Sequence, residues 1–390
     1  MGIIDEVRPL KPAMVERRRD FHQHPELAFE EVRTAGIVAE TLNGLGLEVQ
    51  TGVGKTGVVG ILEGAQDGPT LLIRADMDAL PIHEETDADY TSKTAGKMHA
   101  CGHDGHTTIA LTAARLLNDR RAAIKGRVKF VFQPAEEIGE GAEAMIADGA
   151  LDNPRPDFSI GLHLWNDLPV GTVGVTAGPS MSAAALFTIT VTGSGGHGAQ
   201  PHKTVDPIVA AAQIVSALQA IVSRNTDPLE AAVVTVGAIN GGEAFNVIPP
   251  TVTLKGTIRT YRPEVEAMVY RRVHEIAEGV GQAMGCTVDT SIASMTKAVN
   301  NHPEVSERVR EVAERVVGAQ NVRTDVRTMG SEDVSLFMDD IPGCYFFVGS
   351  ANAEHGLDAP HHHPAFDIDE ESLVIGAAML AEVAASYLID

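Results

Sequence analysis

The chain is poor in cysteine: 3 among 390 residues, Cys101, Cys286 and Cys344, an odd number set far apart. That excludes a disulfide framework of the kind that staples small secreted domains. Cations are scarce as well. Lys and Arg number 30 against 53 Asp and Glu, a formal net charge of −23. Such a balance argues against nucleic acid and anionic membrane surfaces as partners. No stretch approaches 18 uncharged apolar residues, so no membrane span is expected. The N-terminal MGIIDEVRPLKPAMVERRRD has acids early and no apolar core, so it does not read as a secretion signal. Glu6 stands where a myristoylation signal carries Ser or Thr. The expectation from these absences is a cytoplasmic chain.

What is present is ordinary for a globular enzyme, with 44% hydrophobic and 21% charged residues. A chain of this length exceeds one core, so two domains are expected. Asp5 to His24 and Glu30 to Leu42 read as helices, the first stopped by Pro25 and the second closed by Gly44 and Gly46. Gly57 to Leu62 and Thr70 to Ala75 read as strands. Between them and the helices, GVGKTG looks like a phosphate loop, but that pattern requires glycine where Val49 stands, and no helix follows.

The second strand runs into RADMDALPI, where Asp76 and Asp78 sit two apart and share a side, which suits a metal site or the groups that orient its ligands. MHACGHDGHTT then places Cys101, His103, Asp104 and His106 within six residues. A cysteine and a histidine one residue apart ahead of a helix offer one soft and one borderline donor. His106, at the helix start, reads as structural. Arg127 to Gly141, RVKFVFQPAEEIGEG, alternates as a strand and ends in Glu136 and Glu137. An isolated Glu-Glu pair is ordinarily a solvated loop, but the donors on either side favour a site. Adjacent residues leaving a strand diverge, so one acid can hold a cation while its neighbour reaches a water. His163, in the apolar strand Phe158 to Leu164, could be a core histidine. Its place at a strand end, where open α/β sheets assemble sites, favours a ligand.

From about Met181 the order is β-α-β-β-α-β: Ala185–Val191, Asp206–Ser223, Ala231–Ile239, Thr251–Thr260, Glu264–Met284 and Cys286–Ile292. That is the split βαβ layout of a ferredoxin-like domain, whose first and last strands are neighbours, so it can be inserted into another domain. The expected fold is therefore an α/β/α catalytic domain with a mixed sheet, residues 1–180 and 293–390, interrupted by residues 181–292. Within the insert, His197 and His202 lie on a glycine loop, Asn246 in a turn, and Arg259 on a strand where it could grip a carboxylate. Each could equally be a surface residue. After the insert, His302 to Val317 reads as a helix, Ser331 as the start of another, and GCYFFVGS as a central strand. DAPHHHPAFDIDEESL brings His361, His362 and His363 ahead of a last helix, Glu370 to Leu388.

Taken in order, RRDFHQHPELAFEE, RADMDALPI, MHACGHDGH, FQPAEEIGEGA, GLHLW, HGAQPHKTVDPI, NVIPP, MGSEDVSLF and HHHPAFD resemble the M20 metallopeptidase superfamily over essentially the full chain. Within it the sequence resembles the amidohydrolase branch of N-acyl-amino-acid, hippurate and indole-acetyl-amino-acid hydrolases. The resemblance implies two divalent ions per subunit, zinc or manganese, held by Cys101, His103, Glu137, His163 and His362. His361 and His363 stand as alternatives within the triple histidine. It implies Glu136 as general base and acid, His197 of the partner subunit as oxyanion donor, and Asn246 and Arg259 on the substrate carboxylate. Asp78 and Asp104 would orient ligands, and the inserts would pair in a homodimer. The implied reaction is hydrolysis of an N-acyl amino acid. A carboxypeptidase or dipeptidase of the same superfamily is the nearest rival, although Cys101 stands where peptidase branches usually place an acid. A metal-binding scaffold without catalysis is the rival from another class, and the presence of Glu136 speaks against it.

Overall fold

In the computed structural model, residues 2–389 are described. They form two compact units, 1–180 with 299–327 and 333–390, and 181–298 with 328–332.

The large unit is built on an eight-stranded mixed sheet. Its spatial order is Glu48–Val53, Gly57–Glu63, Lys125–Gln133, Gln66–Asp76, Phe158–Pro169, Gly343–Ala351, Val173–Gly174 and Val322–Arg323. The four central strands run parallel. Parallel strands are covered on both faces and so read as continuous apolar runs, as TLLI and CYFFV do. The register pairs Asp76 with Gln133 and Arg74 with Gly161, which brings Asp76 and His163 level at the C-terminal edge. The helices His103–Asp119 and Glu371–Leu388 are buried along most of their lengths against this sheet and one another.

Several expectations shift. The first helix is divided into Ile3–Val7 and Lys11–Gln23 by a 3-10 turn at Arg8–Leu10. Pro9 and Pro12, which lack amide donors, cannot continue an α-helical ladder. The segment at Ser331 makes only the 3-10 helix Asp333–Met338. The Asp333 carboxylate accepts from Gln133 Nε2 at 2.6 Å and the Ala142 amide at 3.0 Å, so it serves other segments. The edge strand Glu48–Val53 and the two-residue strands were not legible as apolar runs, being exposed or very short. Two helices, Pro207–Asn225 and Glu371–Leu388, are long and apolar enough to cross a membrane. The second is mostly buried within its unit, and the first turns one face to the small unit's core.

The small unit has one antiparallel sheet in the order Ala232–Asn240, Thr251–Thr260, Ala183–Thr192, Thr287–Thr296. Its first strand in the chain is central and neighbours the last. The helices Pro207–Ala220 and Pro263–Ala283 pack on one face over Phe187, Ile189, Leu254 and Ile258. Asp206 caps the first of them through Oδ1 to the Ile208 amide at 2.9 Å.

The turn after Lys125–Gln133 is sterically tight. A Cβ on Gly141 would lie 1.6 Å from the Pro134 carbonyl oxygen, a backbone atom that cannot step aside. Gly141→Ala should therefore lower stability by at least about 1–3 kcal/mol, read as a shifted denaturant midpoint. An unchanged midpoint would show that the turn is looser than its geometry.

Candidate metal centre

The site begins at Ala135. This residue is in the left-handed region, φ 52°, where a side chain costs energy. Glu31 holds it there: the buried carboxylate accepts from the Ala135 amide at 2.9 Å, from the Phe29 amide at 3.0 Å and from Thr56 Oγ1 at 2.5 Å. The reversal at Ala135 sends Glu136 and Glu137 back across the sheet edge. Burial raises the Glu31 carboxyl, with Asp78 adding to it, against the opposing hydrogen bonds from Thr56 and Ala135.

His103 is fully buried at the start of its helix. Its Nδ1–H donates to the Asp78 carbonyl at 2.9 Å, which leaves Nε2 facing the acids. Nε2 lies 3.7 Å from Asp76 Oδ2, 3.9 Å from Glu137 Oε1 and 4.0 Å from Glu136 Oε2. Neither His103 Nε2 nor Glu137 Oε1 has a hydrogen-bond partner among the described residues, although both are buried. Buried polar atoms left this way are costly unless something binds them. His163 is arranged alike, with Nδ1–H donating to the Leu164 carbonyl at 2.6 Å and Nε2 3.5 Å from Cys101 Sγ.

The donor atoms of Cys101, His103 and His163 lie within 4.8 Å of one another, and so do those of Cys101, Glu137 and His362. All five expected ligands are thus brought together, with the Cys101 sulfur common to both triplets. Sulfur, imidazole and carboxylate at this separation suit a divalent transition ion. The residues present therefore fit a two-metal centre. Glu136 forms a third triplet with His103 and Glu137, and its side chain is 11% exposed.

Of the three consecutive histidines, the structure brings His362 to the donors, 3.3 Å from Glu137 Oε2. It adopts φ 65°, and its amide donates to the Ala100 carbonyl at 2.8 Å. His361 instead stacks on Trp165, ring centroids 4.6 Å apart, with Nε2 donating to the Leu164 carbonyl at 2.9 Å. Burial pulls His361 down to about 4, so it stays neutral there. His363 points to solvent, its Nδ1 accepting from the Ala365 amide.

Asp78 supports two of the expected ligands, His103 through its carbonyl and Glu137 through its carboxylate, which accepts the Glu137 amide at 3.0 Å. Asp104 is placed otherwise. Its oxygens accept from Arg18 Nε and His22 Nδ1, both at 2.8 Å, and from the Gly105 amide, and none goes to an expected ligand. Arg18 also donates to Asp367 at 2.8 Å, so it joins the loop of His103 to the loop of His362. His106 is structural: Nδ1–H donates to Asp76 at 2.6 Å, and Nε2 accepts the Leu164 amide at 2.9 Å. Sequence reading did not identify the parts played by Glu31, Arg18 or His22. The only signal was their place in RRDFHQHPELAFEE, a motif with no ligand pattern of its own.

In the small unit, the two-stranded ladder Gly196–His197 with Val247–Ile248 brings Asn246 next to His197 on an exposed ledge. The Ala199 amide donates to His197 Nδ1 at 3.0 Å, which places the ring proton on Nε2. His202 lies on an exposed turn. Arg259 is separate from them and donates to Ser331 Oγ at 2.5 Å.

Charge decides how the centre behaves. Burial pulls His103 down, but Asp76, Asp78 and Glu137 outweigh it and hold the ring up to about 10. His163 is kept well below its usual value by burial and then by His106. Hydrogen bonding to Glu137 raises His362. One imidazole thus carries a proton among carboxylates, and the other presents a lone pair to the sulfur.

A set of sulfur, imidazole and carboxylate donors, buried except for His362, at the C-terminal edge of a parallel sheet, with a further carboxylate beside it, defines a dinuclear metal-dependent hydrolase. Residues 72–386 match Peptidase family M20/M25/M40, and the chain belongs to that family. It is 40% identical over 376 residues to an N-acetylcysteine deacetylase of Bacillus subtilis, covering 96% of this chain and 97% of the relative. It is 40% identical to IAA-amino acid hydrolase ILR1-like 2 of Arabidopsis thaliana, covering 96% and 85%. The crystal structure of the Bacillus subtilis YXEP protein, described as a dinuclear metal-binding peptidase of the M20 family, superposes with a TM-score of 0.85 at 36% identity, covering 98% and 99%.

Because His103 is protonated when no cation is bound, uptake of a divalent ion must expel that proton. Zinc affinity should therefore rise with pH between about 6 and 8, with release of about one proton from this ring. Calorimetry in buffers of different ionisation enthalpy reads the proton count. A pH-independent affinity without release would contradict the assignment of His103.

Proposed function

We propose that the protein is an amidohydrolase that splits N-acyl amino acids into a carboxylic acid and a free amino acid. The observation that carries this reading is the division of the adjacent acids. Both acids meet His103, at 3.9 and 4.0 Å from Nε2, but Glu137 also groups with Cys101 and His362, whereas Glu136 groups with His103 and Glu137. Support for the substrate class comes from the relatives named above, one a deacetylase of an N-acyl amino acid and one a hydrolase of amino acid conjugates.

Two divalent ions, zinc or manganese, would supply Lewis-acid polarisation of the amide carbonyl and acidification of water. Cys101, His103, Glu137, His163 and His362 would hold them. Glu136 takes the proton of the attacking water and delivers it to the leaving amine, which must be protonated to depart. His197, contributed by the partner subunit of a homodimer, donates Nε2–H to the developing oxyanion. The backbone contact that fixes its ring proton on Nε2 supports that role. Asn246 and Arg259 receive the substrate carboxylate, which lets a chain of net charge −23 accept an anion. A thiol among the ligands must stay reduced to bind metal, which favours a cytoplasmic setting.

Glu136→Gln should lower turnover by at least about a hundredfold while bound metal stays near the wild-type amount. A variant that kept more than a few per cent of activity would remove Glu136 as the base. Mixed dimers of a Glu136→Gln subunit with a His197→Ala subunit should recover activity absent from either variant alone, and failure to recover it would refute cross-subunit catalysis. A panel of N-acetyl, N-benzoyl and indole-acetyl amino acids beside dipeptides, assayed on metal-loaded protein, tests the substrate class. Release of amino acid from none of the acyl conjugates would sink the assignment.

A further inference from the structure

The arginines around the helix Lys11–Gln23 are paired with acids: Arg18 with Asp104 and Asp367, Arg19 with Glu370, Arg33 with Asp20. Arg120, beyond the end of the helix His103–Asp119, is paired with Glu6. Arg17 and Arg115 are the exceptions. Among the described residues neither has a hydrogen-bond or carboxylate partner. Both line one cavity of about 290 Å³, formed where Lys11–Gln23, Val32–Gly44 and His103–Asp119 meet.

The rest of that cavity is apolar or spent. Met14 and Leu111 are buried walls, and Leu45 closes the side. The hydroxyls of Thr41 and Thr112 already donate to the Ile37 and Thr108 carbonyls, at 2.7 and 2.8 Å. No carboxylate lines the cavity. The guanidiniums are therefore its free donors, each with five N–H groups in a fork that matches a carboxylate. Arg17 is lowered by burial and then by Arg115, so the two charges feel one another. In a chain with 53 acids, a half-buried arginine and an exposed one that line the same cavity, both clear of every acid, point to an anion site rather than an accident of packing.

We propose that this cavity binds a small organic carboxylate, its head held by Arg17 and Arg115 and its short apolar tail against Met14, Leu45 and Leu111. The volume lies at the lower end of small-molecule sites, about 300–1,000 Å³, which fits a short-chain acid rather than a nucleotide. The site is distinct from the metal centre. Arg115 is 12 residues along its helix from His103, or about 18 Å at the α-helical rise.

The test uses hexanoate as the probe, titrated calorimetrically into the metal-loaded full chain. Hexanoate can also enter the metal centre, so wild type is compared with R17Q/R115Q and with A13W, which fills the cavity from its rim without changing charge. Both variants leave the metal centre intact and should hydrolyse amides with wild-type kinetics. The expected result is a hexanoate binding event in wild type that weakens at least about tenfold in each variant, as a lost bidentate grip or a filled cavity requires. Three results would overturn the proposal. They are equal hexanoate binding by wild type and both variants, no event beyond the metal centre in wild type, or inorganic phosphate bound there as tightly as hexanoate. Because amide hydrolysis is read separately, loss of the proposed reaction and loss of this site are distinct outcomes.

Discussion

Four carboxylates, Asp76, Asp78, Glu136 and Glu137, converge on the ring of His103. Two unit charges 4 Å apart interact by about 4 kcal/mol at an effective dielectric of 20, so an uncompensated cluster of this kind would force its own strands apart. The proton held on His103 offsets part of that repulsion, and a divalent ion would offset more. The same field that holds the proton on His103 is what would draw a cation to the cluster.

The surroundings are arranged to keep the acids in place. Arg74, buried in a central strand, donates to Asp76 at 2.6 Å, to Gln133 at 2.8 Å and to Asp333 at 3.2 Å, tying three segments under the site. Arg18 does the same on the other side through Asp104 and Asp367. Buried ion pairs contribute little net stability once desolvation is counted. Their effect here is positional: each joins a ligand-bearing loop to a rigid element. Glu31 belongs with them, since without its hold on the Ala135 amide the chain has no reason to take a left-handed turn before the two acids.

Much of the site was legible because its donors are rare residue types in dense local groups. Cys101 and His103 are one residue apart ahead of a helix, and Glu136 and Glu137 are adjacent just after an apolar strand. The fold was legible for the same reason in the central parallel strands and in the β-α-β-β-α-β order of residues 183–296. Edge strands escaped notice because exposed positions carry no apolar period. Asp104 was misleading: beside His103 in sequence, it looks like a group that would orient a ligand. The helix turns its carboxylate toward Arg18 and His22, partners 86 and 82 residues away.

The sequence by itself determined which residues could do chemistry here, since donor type and local spacing are properties of the chain. It also marked the central strands and the main helices, because apolar period and proline positions are local. Only the tertiary structure decided which donors meet. It selected His362 over His361 and His363, because the left-handed turn at His362 swings that ring toward Glu137 while stacking on Trp165 commits its neighbour. It made Cys101 common to two triplets and gave Glu31, distant in sequence and unremarked in composition, control of the turn. These outcomes depend on which segments the sheet register sets side by side, and register is fixed by the packing of the whole core rather than by any stretch read alone.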